Sequence, residues 1–512
     1  MTLHLFPLVL ILIGALIVGG PAPAGSPAGW AEIRVVDSGS GRGVPLVELE
    51  TVDGVKFVTD NAGRIAFNEP NLMDREIHFT IRSHGYEIPK DGFGFCGAKV
   101  TPKVGKPVEI KITRKNVAER LCRLTGEGLY RDSELLGHKT PAANAGRVAG
   151  QDSVQAAIYK GKVYWLWGDT LRMNYPLGMY RTAGATTAIP DPKDPKSDPA
   201  AGIAFDYFTD PKTGFARAMM PLLERPDGVI WIFGMFVVPD EKGLDRLVGH
   251  YSRRKGLDTE NEQGLAVFDD AKAIFEPVKE LPLKETWRRP HGHPIPFEED
   301  DTKWLLFGSP NPNVRVRATL KDALDPTKYE AFTCDLSKGN EPIWRWQKEL
   351  PPTDSKTEQK WVKEKKLKPE SARFYPANAA IQTERIALHS GSVRWNEYRK
   401  RWVILAGQIG GKSSHLGEVW YAEATHPTGP FATAVQVLTH DRQTFYNVVH
   451  QPFLDRDAGR TIHFEGTYTN DFSGNPEKTP RYNYNQMLYR LDLDAEGLKP
   501  ARRSVGRGSD RK

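Results

Sequence analysis

Val163-Tyr164-Trp165-Leu166-Trp167-Gly168 is a strand-length apolar run closed by glycine, and the chain repeats it. Its counterparts are Val229-Ile230-Trp231-Ile232-Phe233-Gly234, Trp304-Leu305-Leu306-Phe307-Gly308, Trp402-Val403-Ile404-Leu405-Ala406-Gly407 and Thr461-Ile462-His463-Phe464-Glu465-Gly466. Each follows a polar turn: Lys160-Gly161, Pro226-Asp227-Gly228, Glu298 to Asp301, Asn396 to Lys400, and Asp455 to Gly459. Another apolar stretch precedes each turn, so each unit is expected to open with a hairpin. Strands buried on both faces read as such continuous apolar runs. Spacings of roughly 60 to 100 residues leave room for two outer strands and a loop per unit, for example Gly417 to Ala422 and Gln486 to Leu491. Repetition on this scale marks a propeller rather than a sandwich. The expected fold class is all-β, with a five-bladed β-propeller over 116–500 and the repeat tryptophans mostly in its core.

Residues 30–115, ahead of the repeats, have a different texture. Ile33 to Val36, Val44 to Leu49, Ile65 to Phe67, Ile77 to Ile81 and Val108 to Ile112 alternate or run apolar at strand length. Thr59-Asp60-Asn61-Ala62-Gly63 supplies turn chemistry between two of them. A small β-sandwich is expected here, with no catalytic constellation in it.

The termini read differently again. Leu5 to Val18 is an almost unbroken apolar run of 14 residues, followed by Ala22-Pro23-Ala24. That pattern is a signal peptide over 1–24, and it is shorter than the ~20 residues a membrane span requires. A secreted or periplasmic protein is expected, with no membrane span after cleavage. Cys96 and Cys122 are close enough in sequence to pair in an oxidising compartment, leaving Cys334 free. The net charge of +6 is spread along the chain, with local basic runs at Lys363 to Lys368 and in a basic disordered tail, 501–512. No nucleic-acid-binding module is present, and no cysteine spacing suggests zinc, so the metal reading is none.

Hairpin register then selects candidate chemistry. A turn centred between Lys160 and Gly161 places Asp152 opposite Asp169, at the open end of the first hairpin. Cross-strand Cβ atoms stand about 5 Å apart. Two carboxylates that close destabilise each other and raise a pKa, which a fold tolerates where chemistry needs it. Either aspartate alone would read as a turn cap. The same counting places His291 opposite Ser309, His389 near Gln408 and His450 near Glu465, while Arg217 opens the second unit. Glu418, at the start of an outer strand, is the best third acid, and Glu465 is read as structural. Together these residues describe a polar axial cleft suited to a sugar.

Three segments carry a resemblance: Gly150-Gln151-Asp152-Ser153 with Trp167-Gly168-Asp169-Thr170; Ala422-Glu423-Ala424-Thr425-His426-Pro427-Thr428-Gly429-Pro430-Phe431; and Tyr446-Asn447-Val448-Val449-His450-Gln451-Pro452. They resemble five-bladed propeller glycosidases, in particular a secreted bacterial endo-D-arabinanase-type family, and more distantly the arabinanase, xylosidase and fructosidase propellers. Residues 30–115 likewise resemble transthyretin-like and carboxypeptidase-regulatory-like sandwiches. The resemblance implies an acid pair at Asp152 and Asp169, an inverting outcome, and a polysaccharide or oligosaccharide substrate. The Arg-Asp-Pro and Glu-Cys signatures of the fructosidases are absent, and the insertions at Asp191 to Pro199 and Thr353 to Pro369 have no counterpart.

The expected function is a secreted glycoside hydrolase acting on an extracellular or cell-wall polysaccharide, with furanoside linkages in view. Asp152, Asp169 and Glu418 are its catalytic candidates. Arg217, His291, His389, Gln408, Tyr446, Asn447 and His450 are candidates for binding sugar hydroxyls. No cofactor is required, though an axial cation such as calcium is compatible with the cleft. The alternative is a non-catalytic, lectin-like propeller, since one fold hosts both functions.

Overall fold

The computed structural model describes residues 29–141, 146–173, 181–222, 227–256, 259–337, 341–481 and 483–505. The 1–24 segment and most of the basic tail lie outside the described residues. The chain is all-β, and the helices among the described residues are short. Among the described residues, no helix is long and apolar enough to cross a membrane.

Residues 30–115 form two four-stranded sheets. One orders its strands Arg64–Phe67, Ala31–Asp37, Val108–Arg114 and Tyr86–Glu87; the other orders Lys56–Val58, Glu48–Thr51, Ile77–Arg82 and Gly97–Val100. The strand Ala31–Asp37 pairs in parallel with Val108–Arg114 and antiparallel with Arg64–Phe67. Both sheets contribute to one core, in which Ile33, Val35, Leu49, Phe67, Phe79 and Ile81 are almost wholly buried. Burying one such side chain is worth about 1.5–3 kcal/mol, so this unit has its own hydrophobic centre.

From residue 148 onward the described residues form a small two-stranded pairing and five successive larger sheets. The first is Gln155–Tyr159, Lys162–Trp167, Ala183–Ala188 and Asp206–Tyr207. Lys160 and Gly161 both have positive φ, 48° and 74°. A two-residue turn of that kind matches the twist of the flanking strands, and it sets Tyr159 opposite Lys162 and Gln155 opposite Leu166. The same register continues into the small pairing, where Gln151 faces Thr170.

The second sheet is Val229–Pro239, Asp245–Lys255, Thr259–Asp269 and Ile274–Leu281, and it departs from expectation. Its repeat run, Val229 to Gly234, lies on the first strand of the sheet, not on the second as in the other four. Pro226 of the expected polar turn lies outside the described residues, and Asp227 and Gly228 lead into the first strand of the sheet and close no hairpin before it. Arg217 consequently does not open this unit. Its amide donates to Phe208 O on the edge of the first sheet.

The third and fourth sheets have five strands each. The fourth is completed by Ala377–Asn378, which pairs in parallel with Thr433–Leu438. The fifth contains Thr444–His450, Thr461–Thr469 and Asn485–Asp492, and its outer strand, Glu119–Arg123, comes from before the first sheet. The two ends of the 116–500 region are thereby hydrogen-bonded in one sheet. A helix at Lys499–Val505 follows, with Ala501 fully buried, so the described start of the tail read as disordered is ordered.

All three cysteines are free. Cys122 is buried in the strand that closes the fifth sheet, with its thiol on Pro199 O, whereas Cys96 lies beside Lys90 in the N-terminal unit. Cys96 and Cys122, close enough in sequence to pair, are therefore not bonded to each other. Asn61 joins the two regions, exchanging 2.9 Å hydrogen bonds with both the N–H and the carbonyl of Arg123.

Candidate active site

Asp152 and Asp169 face each other as the hairpin register predicts. The Asp152 amide donates to Asp169 O at 3.2 Å, and the Gly168 amide donates to Asp152 O at 2.8 Å. Asp152 also turns its side chain back across this junction, so that Asp152 Oδ1 accepts the Asp169 amide at 2.8 Å. The glycine between them is required: a Cβ on Gly168 would stand 2.4 Å from Asp152 Oδ1.

Both side chains line one cavity of about 770 Å³. Its walls include Trp231 and Phe233 from the second sheet, Tyr446 from the fifth, and Asn470, Asp471, Phe472, Lys478, Asn483 and Tyr484 from the segment between the last two strands of the fifth. The start of the first sheet is thus sandwiched between its sequence neighbour and the last sheet of the chain.

The two carboxyls have unlike surroundings. Asp152 is half-buried and well supplied with donors. The Tyr446 hydroxyl donates to Asp152 Oδ2 at 3.0 Å, and the Tyr484 hydroxyl also hydrogen-bonds this carboxyl. Burial raises the Asp152 pKa, and the donors from Tyr484, Tyr446 and the Asp169 amide pull against that rise. Asp169 is 8% exposed, and among the described residues its side chain receives one hydrogen bond, from Trp231 Nε1 to Oδ1 at 2.7 Å. Burial first, then the neighbouring Asp152 charge, raise its pKa to about 7, with Trp231 opposing. Tyr446 is pushed well above the ordinary phenol value, chiefly by burial, so it remains a donor. Both carboxyls are thus raised, Asp169 far enough to carry a proton near neutrality, while Asp152 has the donors that favour its charged form.

The backbone around the pair is unusual. Ser153, Asn447 and Tyr484 have φ of 52°, 53° and 68°. Non-glycine residues enter that region at a cost of about 1–2 kcal/mol. Two of the three are tied down. Ser153 N–H donates to Thr467 Oγ1 at 3.3 Å, and Asn447 Nδ2 donates to Ser153 Oγ at 2.5 Å. Asn447 sits where the pairing of Thr444–His450 with Thr461–Thr469 shifts register. This β-bulge aims Tyr446 at Asp152.

The other sequence candidates lie elsewhere. Glu418 is 4% exposed and does not line the cavity; Oε1 accepts the amides of Lys412 and Ser413, at 2.9 and 3.2 Å. It organises the loop before its strand, whose Gly411 leaves room for Oε2. Arg217 lies over the Phe208 ring and donates to Ala273 O at 2.9 Å, outside the cavity. His450 is buried against Asp455, with Nε2 2.9 Å from Oδ2. The bulge shifts its partner from Glu465 to Phe464, and a one-residue slip reverses the face a side chain occupies. His291 bonds Arg289 O through Nδ1, and burial lowers its pKa to about 4. His389 contacts Ser390 Oγ, and Gln408 accepts Trp420 Nε1 at 2.7 Å. None of these four lines the cavity. Of the binding candidates, Tyr446 is on the wall and Asn447 supports it.

Sequence reading missed Trp231 and Tyr484. Trp231 belongs to a repeat run, a pattern that assigns its tryptophans mostly to the core. Its place on the first strand of its sheet, created by the shifted second unit, is what brings it to the cavity. The one sequence signal for Tyr484 is the Asn483-Tyr484-Asn485 run just ahead of the last strand. Among the described residues, no group of three or more His, Cys, Asp or Glu is arranged to hold a metal.

No family model matches the chain, and no curated protein matches it either. Among solved structures, it is similar to a putative exo-beta-1,3-galactanase from Bifidobacterium bifidum, at 12% identity and TM-score 0.35, covering 74% of this chain and 94% of that one. It is also similar to a GH43_1 enzyme from Xanthomonas citri complexed with xylose, at 13% identity and TM-score 0.35, covering 70% and 92%. A third is an N-acetylgalactosamine deacetylase from F. plautii, at 8% identity and TM-score 0.36, covering 77% and 100%.

Proposed function

We propose that this protein is a glycoside hydrolase in which Asp169 is the general acid and Asp152 the base or nucleophile. The observation that carries the reading is the acid pair on one wall of the 770 Å³ cavity, with Asp169 raised to about 7 beside a donor-rich Asp152. Hydrolysis of a glycosidic bond needs one carboxyl that protonates the leaving oxygen and one that activates water or attacks the anomeric carbon. Asp169, with a single donor among the described residues, holds the proton. Asp152, whose charged form the Tyr446 and Tyr484 hydroxyls favour against the rise from burial, serves as the base or nucleophile. Trp231 and Phe233 offer aromatic faces for a sugar ring, and the chemistry requires no cofactor.

In this reading the five successive sheets are the blades of a propeller, closed by Glu119–Arg123, and the two N-terminal sheets are a sandwich mounted beside it. We place the substrate outside the cytoplasm, on the strength of the apolar run Leu5 to Val18. Polysaccharides with furanoside linkages are the first to try.

The test is reducing-end release across a panel of polysaccharides, with Asp152→Asn and Asp169→Asn alongside the native protein. Release by the native protein and its loss in both folded variants is the expected result. Binding to a polymer without release by any form would replace the hydrolase with a lectin.

A further inference from the structure

The inner strands that begin at the acid pair end at a second cavity of different chemistry. It measures about 580 Å³ and is lined by Ala156 to Ile158, Met235 to Val237, Pro294 to Pro296 and Gln451 to Phe453, together with Leu305, Arg394, Trp395 and Trp402. From Tyr446 in the first cavity to Gln451 in the second is five residues, at most roughly 16 Å at ~3.3 Å per residue because the bulge at Asn447 shortens the path, and no residue lines both cavities. The second cavity therefore lies away from the acid pair. Its size falls within the ~300–1,000 Å³ range of small-molecule pockets.

The lining is apolar apart from Gln451 and one charged side chain, Arg394. The guanidinium is fixed by its own backbone surroundings: Nη1 donates to His293 O at 3.1 Å, Pro294 O at 3.3 Å and Val393 O at 3.1 Å. Among the described residues no carboxylate pairs with it, and Nε and Nη2 make no hydrogen bond to the protein. Burial alone lowers its pKa, to about 10, so it remains charged at neutral pH. The nearby His293 is lowered to about 3, mainly by burial and then by the Arg394 charge, and is neutral. Arg394 is half-buried, and a partly desolvated cation with no counter-charge gains from a ligand that supplies one. Here the cation is held rigidly, with two nitrogens free, beside apolar walls.

We infer that this cavity is a second ligand site, and that its ligand is a small carboxylate with an apolar body. The carboxylate takes the free edge of Arg394, a planar fork suited to two parallel hydrogen bonds. The apolar body lies against Met235, Phe236, Pro296 and Phe453. Trp395, 42% exposed at the edge of the cavity, is a built-in reporter.

Octanoate is the probe, with octan-1-ol and octylammonium as neutral and cationic counterparts of the same length, read by tryptophan fluorescence and by calorimetry on the full chain. Octanoate is expected to bind saturably and at least about tenfold more tightly than octan-1-ol, the difference a charge-assisted hydrogen bond supplies. Octylammonium is expected not to bind. Arg394→Gln should abolish the preference for octanoate, and Arg394→Lys should retain part of it. The Asp152→Asn/Asp169→Asn double variant should bind octanoate unchanged, because those residues are at the other cavity. Equal affinities for octanoate and octan-1-ol, or no octanoate binding up to about 10 mM, overturn the inference. So does loss of octanoate binding in the double variant. The comparison among the three ligands uses the native protein and stands even if the Arg394 variants fail to fold.

Discussion

Trp231→Phe isolates the interaction that sets the proton affinity of Asp169. The indole N–H donates to Asp169 Oδ1 at 2.7 Å and stabilises the ionised carboxylate. Phenylalanine keeps an aromatic wall near Phe233 but carries no donor. A hydrogen bond to a charged group is worth about 1.5–3 kcal/mol, and a pKa difference of one corresponds to about 1.4 kcal/mol. Complete loss would raise Asp169 from about 7 to between about 8 and 9. A water molecule admitted by the smaller ring would restore part of the bond, so the expected value lies near the lower end. Asp152→Asn acts in the opposite direction. It removes the neighbouring negative charge that raises Asp169, and the Asp169 value falls. The assay is a carboxyl 13C NMR titration, with Asp169→Asn identifying the signal. The upper of the two macroscopic values of the pair is followed, because strongly interacting acids titrate together. An unchanged or lowered value in Trp231→Phe would refute the assigned electrostatics. A rise, or no change, in Asp152→Asn would do the same. Neither outcome depends on knowing the substrate.

Other expectations follow from single contacts. Gly168→Ala places a methyl group 2.4 Å from Asp152 Oδ1 and should reduce polysaccharide hydrolysis at least about 10²-fold through misplacement of the acid; circular dichroism checks that the variant is folded. Glu418→Gln should lower the melting temperature by weakening the anchor for the Lys412 and Ser413 amides while leaving hydrolysis within a few-fold, since Glu418 is off the cavity. Glu465 is fully buried, and burial raises its pKa from 4.5 to about 7. The folded state therefore holds this proton more tightly than the unfolded one. The associated stability is fully present below about pH 4.5 and is lost as pH rises to about 7, a change of about 3 kcal/mol. Urea unfolding of native protein and Glu465→Gln across that window should show the difference between them changing by this amount, and parallel curves would count against it.

The acid pair was legible because a two-residue turn fixes strand register without help from the rest of the fold. Lys160 and Gly161 adopt the φ values that such a turn demands, and the register persists from Tyr159–Lys162 to Gln151–Thr170. Counting failed where the local rule was interrupted. In the second unit the repeat run occupies the first strand, which displaced Arg217 from the expected cleft and hid Trp231 among the core aromatics. Glu418 was misassigned for another reason: its position at a strand start is correct, but the preceding loop folds back and spends both amide donors on it. The closing strand Glu119–Arg123 was illegible because its partner is more than 350 residues away in sequence, and no local pattern encodes such pairing.

The bulge at Asn447 explains a success and a failure together. Before it, Tyr446 faces Thr467 and delivers its hydroxyl to Asp152; after it, Val449 faces Glu465, and His450 turns to Asp455. A regular ladder could satisfy one of these placements but not both, since side chains alternate faces along a strand. The extra residue is accommodated by a left-handed asparagine whose amide N–H reaches Ser390 Oγ at 3.0 Å and whose side chain reaches Ser153. Ser153 is itself left-handed and directly follows Asp152. Two strained residues from opposite ends of the 116–500 region thus brace each other beside the acid. Strain of this kind persists only where the surroundings over-determine it, and it clusters at functional sites. Asn447 is therefore a positioning residue: it fixes where Tyr446 and Ser153 stand, and through them where the charge on Asp152 is held.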